Sequence, residues 1–271
     1  MWGSAMPMVT LDRVSLRYGG VRGVMALQDA SMTLAEGEFV AVVGPSGCGK
    51  SSLMKLITGL LPPSAGTLTV AGNRVAGPLK IVGMAFQNPT MLPWRSTLDN
   101  VMLPLEIAQP HRSRLRRERA AYVERARDLL RTVGLAGFED TSPWALSGGM
   151  QQRANLCRSL IHEPKLLMLD EPFGALDSFT REELWGVLQD LWMQRRFTCV
   201  LVTHDLREAA FLADKVYVMS KRPAHVLAEH KVDFPRPRTL KDVFAPEFSA
   251  LVQTMREQIS EQRQMALQEA V

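Results

Sequence analysis

The stretch that decides the fold is FVAVVGPSGCGKSSLMKLITGL, residues 39–60. It contains the pattern G-x-x-x-x-G-K-[ST] at residues 44–51, between a short apolar run and a segment with apolar residues at helical spacing. Glycines let such a loop curl so that consecutive backbone N–H groups point at phosphate oxygens, and the positive end of the following helix adds to the attraction. The sequence therefore predicts a strand, a phosphate-binding loop and a helix.

Individual residues of this loop have predicted tasks. Lys50 can reach the β and γ phosphates of a nucleotide, and Ser51 offers a hydroxyl to Mg²⁺. Cys48 lies beside a helix N-terminus, a setting that predicts a lowered thiol pKa, although the need for a small residue in the turn is the stronger explanation for its presence. A glycine-rich turn without a ligand is disfavoured by the flanking strand and helix, and a dinucleotide site by the glycine spacing. The residues predicted to bind the nucleotide here are Gly44, Pro45, Ser46, Gly47, Cys48, Gly49, Lys50, Ser51 and Ser52.

The composition predicts a folded globular protein. Of the 271 residues, 46% are hydrophobic and 22% are charged, which argues against disorder and against a fibrous repeat. No apolar run approaches the ~20 residues of a membrane-spanning helix, so the chain is not expected to cross a bilayer by itself. Three widely spaced cysteines and no recognisable signal peptide lead us to expect a cytoplasmic location.

Short apolar runs alternate with helical patterns along the chain. This order predicts an α/β core with a parallel sheet and right-handed crossovers. Two segments interrupt the core: residues 61–87 have a β-rich pattern, and residues 98–160 a helical one. Residues after Pro246 place apolar side chains on one helical face. The predicted buried strands are residues 39–43, 166–169, 199–202 and 216–219.

Two acids follow the apolar run at residues 166–169. On its own, this is an ordinary strand with an acidic end. Downstream of a phosphate-binding loop, it is where an ATPase needs carboxylates. Asp170 is predicted to hold Mg²⁺ through its water shell, and Glu171 to orient and polarise the attacking water.

The sequence LSGGMQQR at residues 146–153 resembles the signature motif of the ATP-binding subunits of ABC transporters. It precedes the acidic strand, as that family requires, and the likeness extends from about Val9 to Arg222. The resemblance implies an α/β fold: a P-loop NTPase (RecA-like) core with an antiparallel β subdomain and an inserted helical subdomain. It also implies an ATP-binding domain at residues 9–235, with the helical subdomain at about 90–160, and a C-terminal helical extension at residues 236–271.

Further roles are implied residue by residue. Tyr18 resembles the aromatic residue that stacks on adenine, and Gln87 the glutamine that senses the metal and the γ-phosphate. His204 resembles the switch histidine that contacts the γ-phosphate, and Asp177 an aspartate at the subunit interface. The signature residues Ser147, Gly148 and Gly149 would close the nucleotide site of a second subunit paired head to tail. The implied catalytic residues are Glu171, His204, Gln87 and Lys50, and the implied metal ligands are Ser51, Gln87 and Asp170.

The resemblance implies an ATP-hydrolysing, energy-coupling subunit of an importer, with ATP and Mg²⁺ as cofactors. The expected partners are a second copy of the chain, integral membrane permease subunits and, indirectly, a solute-binding protein. No nucleic acid is expected, and the location would be peripheral, on the cytoplasmic face of the membrane. Met150 and MLPWRSTLDNV at residues 91–101 resemble importers of the nitrate, sulfonate and taurine type.

Other interpretations remain open at this point. A soluble ATPase of the same superfamily could act on nucleic acid or ribosomes, although such proteins usually carry two nucleotide-binding units. A small-molecule kinase is disfavoured by the signature motif, and a nonhydrolytic subunit by the complete set of site residues. Eight arginines and three acids lie between His111 and Arg131. The interspersed acids favour a solvated helical face there over a surface for lipid or nucleic acid.

Overall fold

The computed structural model describes residues 7–20, 22–174 and 176–268, in two compact units. The first unit joins the chain up to Leu79 to the chain from Arg196, and the second comprises Lys80–Arg195. The predicted division into residues 9–235 and 236–271 stays a prediction. In chain order the elements are β1 (Pro7–Arg17), β2 (Met25–Ala35), β3 (Phe39–Val43), α1 (Lys50–Ile57), β4 (Ala65–Val70), β5 (Asn73–Arg74), β6 (Val82–Ala85), α2 (Thr97–Ile107), α3 (His111–Thr132), α4 (Gly148–Leu160), β7 (Leu166–Asp170), α5 (Ser178–Arg195), β8 (Thr198–Val202), α6 (Leu206–Leu212), β9 (Lys215–Met219), β10 (Val226–Lys231) and α7 (Pro246–Gln268).

The first unit contains an antiparallel sheet with the strand order β2-β1-β4-β5. Buried residues of β1, such as Val9 and Leu11, pack on one face, but the pairing with β2 shifts register at several points. Bulges of this kind break the strict alternation by which a half-buried strand is recognised in sequence. The apolar runs predicted as strands accordingly did not include β1 or β2.

A second group of strands in the first unit is ordered β10-β9-β3-β8. β3 runs parallel to both β8 and β9, and β10 is antiparallel to β9. All residues of β3 and β8 are buried, as continuous apolar runs predict for a parallel sheet. The three predicted strands of this unit are confirmed, β3 at the predicted residues and β8 and β9 each beginning one residue earlier.

The C-terminal segment of the first unit forms the predicted amphipathic helix. In α7, Phe248, Val252 and Met255 are buried, and the helix contacts α6 and β9. The spacing of these residues places them on one face, which explains why the sequence pattern was informative.

Among its described residues, the second unit contains the parallel pair β6 and β7 and the α-helices α2, α3, α4 and α5. Helices α2, α3 and α4 contact one another, so the helical pattern predicted at residues 98–160 is confirmed. The β-rich pattern predicted at residues 61–87 covers β4 and β5, but β6 pairs in parallel with β7 instead of joining the antiparallel strands. A Cβ on Gly83 of β6 would lie 2.2 Å from the carbonyl oxygen of Ser159, so only glycine lets this strand approach α4.

Among the helices in the described ranges, none combines the length and the apolarity needed to cross a membrane.

Candidate functional site

The phosphate-binding loop connects β3 to α1 in the first unit. Gly47 (φ 72°) and Gly49 (φ 132°) have left-handed backbone conformations, and a Cβ on Gly49 would lie 3.0 Å from the carbonyl oxygen of Ala26. Glycine is therefore required at both turns. No side chain caps the N-terminus of α1, and its first turn contains no acid. The N–H groups of that turn are thus oriented for an anion, with the helix dipole in support.

Lys50 is 7% exposed and lies folded against its own loop. Its ammonium group donates hydrogen bonds to the carbonyl oxygens of Gly44 (2.9 Å) and Pro45 (3.0 Å). The buried positive charge is therefore held at the position where the loop would surround phosphate.

Two side chains from distant parts of the first unit support the loop. The hydroxyl groups of Tyr18 and Ser52 are 3.0 Å apart, so the Tyr18 ring lies next to the first turn of α1. The Arg222 guanidinium donates to the carbonyl oxygen of Gly47 at 2.7 Å. The sequence suggested the position of Tyr18 but gave no role to Arg222, because its contact spans 175 residues.

The environment of Cys48 contradicts the expectation of a lowered thiol pKa. Its side chain is 2% exposed, and burial raises the pKa of the Cys48 thiol above its ordinary value. The nearby charges of Lys50 and Arg222 act in the opposite direction but do not offset burial. The sequence identified the helix N-terminus but could not reveal how completely the side chain is covered.

His204 lies in the short connection between β8 and α6, and its neighbours hold that connection. The Thr203 hydroxyl donates to Glu208 (2.8 Å) and accepts from the N–H of Asp205 (3.0 Å). Asp205 in turn caps α6 by accepting hydrogen bonds from two N–H groups. The exposed His204 and Gly44 line one cavity of about 540 Å³, so the histidine and the start of the phosphate-binding loop face the same space.

The C-terminal end of α6 is anchored by two arginines for which the sequence predicted no role. Arg238 is 3% exposed and donates to the carbonyl oxygens of Ala210 (3.1 Å) and Ala213 (2.6 Å). Burial lowers the pKa of Arg238 to about 10, so the guanidinium remains charged at neutral pH. Arg236 pairs with Asp214 at 2.8 Å. The helix that follows His204 is therefore fixed at both ends.

In the second unit, Asp170 ends β7 and Glu171 follows it. The backbone of Glu171 is left-handed (φ 46°), a conformation that costs a non-glycine residue about 1–3 kcal/mol. The Gln87 amide donates a hydrogen bond to Glu171 at 3.4 Å. Two residues that lie 84 positions apart in sequence are thereby brought together, as a shared catalytic role requires.

The signature motif forms the start of α4. The Ser147 hydroxyl caps the helix by accepting from the N–H of Met150 at 3.3 Å. A Cβ on Gly148 would have no atom within 4 Å, whereas one on Gly149 would lie 3.3 Å from Thr180. The N-terminus of α4 therefore has an open edge at Gly148 and is backed by the chain at Gly149. Asp177 accepts a hydrogen bond from the N–H of Thr180 (3.0 Å), which lowers the pKa of the Asp177 carboxyl.

One polar face of α4 holds the loop around Gln87. Three side chains at spacings of three residues donate to three carbonyl oxygens between residues 86 and 90, so the signature helix and the Gln87 loop are joined directly. Gln152 belongs to the signature motif, but residues 155–160 carry no functional prediction, because polar residues inside a helix predict no particular partner. The bonds are Gln152 to Gln87 (2.5 Å), Asn155 to Phe86 (3.3 Å) and Arg158 to Thr90 (2.8 Å).

The site residues divide between the two units. The first unit contains Tyr18, residues 44–52 and His204, and the second contains Gln87, residues 147–149, Asp170 and Glu171. Each unit thus carries a helix N-terminus suited to phosphate together with side chains suited to hydrolysis.

Comparisons with known proteins agree with this chemistry. The family described as ABC transporter matches residues 27–174. Taurine import ATP-binding protein TauB of Escherichia coli (strain K12) is 39% identical over 259 residues, which are 93% of this chain and 98% of that protein. TauB of Yersinia pestis bv. Antiqua (strain Antiqua) is 42% identical over 221 residues, covering 82% of this chain and 84% of that protein.

Solved structures give the same answer. The dimeric structure of MJ0796, a bacterial ABC transporter cassette, has a TM-score of 0.70 at 31% identity, covering 84% of this chain and 100% of that chain. A dimeric post-hydrolysis state of the same cassette, bound to ADP and Pi, has a TM-score of 0.71. The predicted P-loop NTPase core is confirmed, and the chain belongs to the ABC transporter family, as one of its ATP-binding, ATP-hydrolysing proteins.

Proposed function

We propose that this chain is the energy-coupling ATPase subunit of an importer for nitrate, a sulfonate, taurine or a similar small solute. The hydrogen bond between Gln87 and Glu171 carries the proposal, because it joins the carboxylate suited to activating water to the loop expected to face the permease. The class of solute is supported by the likeness to the TauB proteins, which are taurine import ATP-binding proteins by name.

ATP is the substrate, and the first unit binds most of it in this proposal. The adenine stacks on Tyr18, which is 39% exposed, and the phosphates lie against the N–H groups of residues 44–52. Lys50, held beside the carbonyl groups of the loop, reaches the β and γ phosphates. His204, at the edge of the same cavity as Gly44, contacts the γ-phosphate.

The donor set of Ser51, Gln87 and Asp170 suits Mg²⁺, which prefers hard oxygen ligands and keeps several waters. The described residues contain no group of three or more His, Cys, Asp or Glu side chains that could hold a metal ion. When bound, Mg²⁺ neutralises charge on the phosphates.

Glu171 orients and polarises the water that attacks the γ-phosphate. Its left-handed backbone and its hydrogen bond from Gln87 fix the direction of the carboxylate, so catalysis depends on positioning and on charge stabilisation. A second copy of the chain, paired head to tail, completes the site with the Ser147 cap and the amides of Gly148 and Gly149. Asp177 lies at that interface.

The surface from Gln87 to Trp94 would seat a short helix of a membrane permease. Trp94 is 75% exposed, as expected for a residue that a partner covers. Closure of the dimer reaches this surface through the α4 side chains that hold the Gln87 loop. A solute-binding protein and the permease select the solute, and the permease holds this subunit peripherally at the cytoplasmic face of the membrane. The proposed transport function needs no nucleic acid partner.

The test is copurification of a tagged chain from membranes, followed by reconstitution of the complex in vesicles. We expect a permease to copurify, and ATP hydrolysis to rise several-fold when the cognate binding protein is loaded with taurine, another sulfonate or nitrate. If no permease copurifies and ribosomes or nucleic acid stimulate hydrolysis instead, the importer proposal is wrong.

Glu171→Gln tests the catalytic assignment in the same assay. The variant should bind ATP and dimerise, but hydrolysis should fall by roughly 10² or more, because an amide is a poor base. Glu163→Gln is the matched control, since Glu163 is also a left-handed glutamate (φ 52°) but pairs with Arg125. Hydrolysis at the wild-type rate in Glu171→Gln would overturn the assignment.

A further inference from the structure

The first half of α3 carries a dense positive charge on its surface. Five arginines stand within eight residues, and all five are exposed. We call them the arginine patch: Arg112, Arg114, Arg116, Arg117 and Arg119.

The two halves of α3 differ in how their arginines are neutralised. In the patch, Arg117 is the one arginine that pairs with a carboxylate of the described chain, at 2.8 Å from Glu118. Every arginine of the second half pairs with an acid. The acids interspersed in the sequence therefore neutralise mainly the second half of α3 and leave most of the patch charged. The pairs of the second half are Arg125–Glu163 (3.0 Å), Arg127–Glu124 (3.8 Å) and Arg131–Asp128 (2.7 Å).

Two arginines of the patch, Arg112 and Arg114, lie in the first turn of α3 and oppose its dipole. Cations are unfavourable near a helix N-terminus, because the helix dipole is positive there. α3 has no acid in its first turn, and Pro110 precedes it without a side-chain cap. The backbone leaves helical values at Glu118 (φ −106°, ψ 15°), so four arginines of the patch precede the break and Arg119 follows it. A local arrangement that disfavours its own helix points to a task outside the folding of this chain.

The surroundings of the patch favour one class of anionic partner. Ile107, the last residue of α2 and four residues before α3, is 67% exposed and adds an apolar side chain close to the patch in sequence. Tyr122, the only Phe, Trp or Tyr of α3, is 4% exposed and engaged with His111 (3.1 Å). Single-stranded nucleic acid binds by stacking bases on accessible aromatic rings, and α3 offers none.

We propose that the arginine patch docks this subunit on the anionic phospholipids of a membrane surface. Guanidinium groups pair well with phosphate, and each basic residue near an anionic leaflet strengthens attachment. Ile107 enters the boundary between headgroups and acyl chains, as apolar residues beside a basic segment do. The contact is made by this chain itself, so it does not depend on a permease.

The experiment is cosedimentation of the full chain with vesicles, made either of phosphatidylcholine alone or with about a third of phosphatidylglycerol. We expect binding to the anionic vesicles only, and its loss as salt rises towards ~0.5 M. Arg114→Gln/Arg116→Gln should weaken the partition by roughly tenfold or more. Arg127→Gln/Arg131→Gln removes the same charge from the paired half of the helix and should change it less than about twofold.

The remaining outcomes decide the proposal as well. Arg114→Lys/Arg116→Lys should retain binding, because charge carries the contact, and hydrolysis of ATP should be unchanged in every variant. If the two glutamine variants lose vesicle binding equally, binding depends on net charge alone, and the proposal that the patch is the docking site is wrong. Binding to neutral vesicles, or tighter patch-dependent binding to single-stranded DNA than to anionic vesicles, would overturn the lipid assignment.

Discussion

The phosphate-binding loop and the signature motif each end in a helix N-terminus, but their constructions differ. At α1, a glycine precedes the helix without a side-chain cap, and Lys50 is buried against its own loop. At α4, Ser147 caps the helix, and Gly148 has no atom within 4 Å of a Cβ position. The first is built to surround an anion within one chain. In the second, a side chain of the same chain caps the helix, and the exposed edge at Gly148 is what we expect of a surface that another molecule contacts.

The comparison extends to what lies behind each helix. The loop before α1 is held by its own lysine and by Arg222, whereas α4 is bonded along one face to the loop of Gln87. We infer that the first site is specialised for binding nucleotide, and that the second transmits the binding of a second copy to the Gln87 loop. The variants that follow test this division.

The largest effect is expected from Lys50→Ala. Removing the ammonium group should reduce ATP hydrolysis by roughly 10²–10³, because a positioned donor to the reacting phosphates is lost. Lys55→Ala is the matched control, since Lys55 is exposed in the last turn of the same helix. Steady-state hydrolysis and nucleotide titration measure both variants. Equal activities would show that the loop does not hold the phosphates through Lys50.

An intermediate effect is expected from Gly148→Ala. The added methyl group meets no atom of this chain, so the melting temperature should stay level or rise, since alanine favours helix. Hydrolysis should nevertheless fall by roughly 10-fold to 100-fold, because the methyl group keeps a second copy from closing. Gly149→Ala should lower both the rate of hydrolysis and the melting temperature, because its methyl group crowds Thr180. Full hydrolysis in Gly148→Ala would break the distinction between the two helices.

The smallest effect concerns the reactivity of Cys48. Since its pKa is raised by burial, the thiolate fraction is low at pH 7, and alkylation by iodoacetamide should be slow. The rate should rise roughly tenfold per pH unit while the pH stays below the pKa. Alkylation should block nucleotide binding, and MgATP should protect. Rapid labelling that is independent of pH, or an alkylated protein with full activity, would contradict this picture of the loop.

The sequence was informative wherever a local pattern determines the structure. The run before the phosphate-binding loop is β3, and the signature motif starts α4 with Ser147 as its cap. These elements depend on neighbouring residues, so spacing and residue type suffice to find them. By contrast, β1 and β2 were not predicted, because their bulged pairing leaves no regular alternation of apolar residues. The parallel pairing of β6 was not predicted either, because its partner β7 lies about 80 residues away in sequence.

The supporting contacts of the site were beyond sequence reasoning for a related reason. Arg222, Arg238 and Asn155 act by donating to backbone carbonyl groups far along the chain. Every residue carries a carbonyl group, so no residue type marks the acceptor. The covering of Cys48 likewise depends on tertiary packing, which reversed the direction expected for its pKa.

The row of amide and guanidinium donors on α4 has a consequence for energetics. Gln152, Asn155 and Arg158 tie the Gln87 loop to the helix, so a shift of the loop alone would break these hydrogen bonds. Linkage requires that coupling between two binding events be reciprocal. If engaging a neighbour's nucleotide changes the affinity for a membrane partner by some factor, then that partner changes the affinity for the neighbour's nucleotide by the same factor. Helix α4 alone would then determine how strongly nucleotide binding and partner binding affect each other.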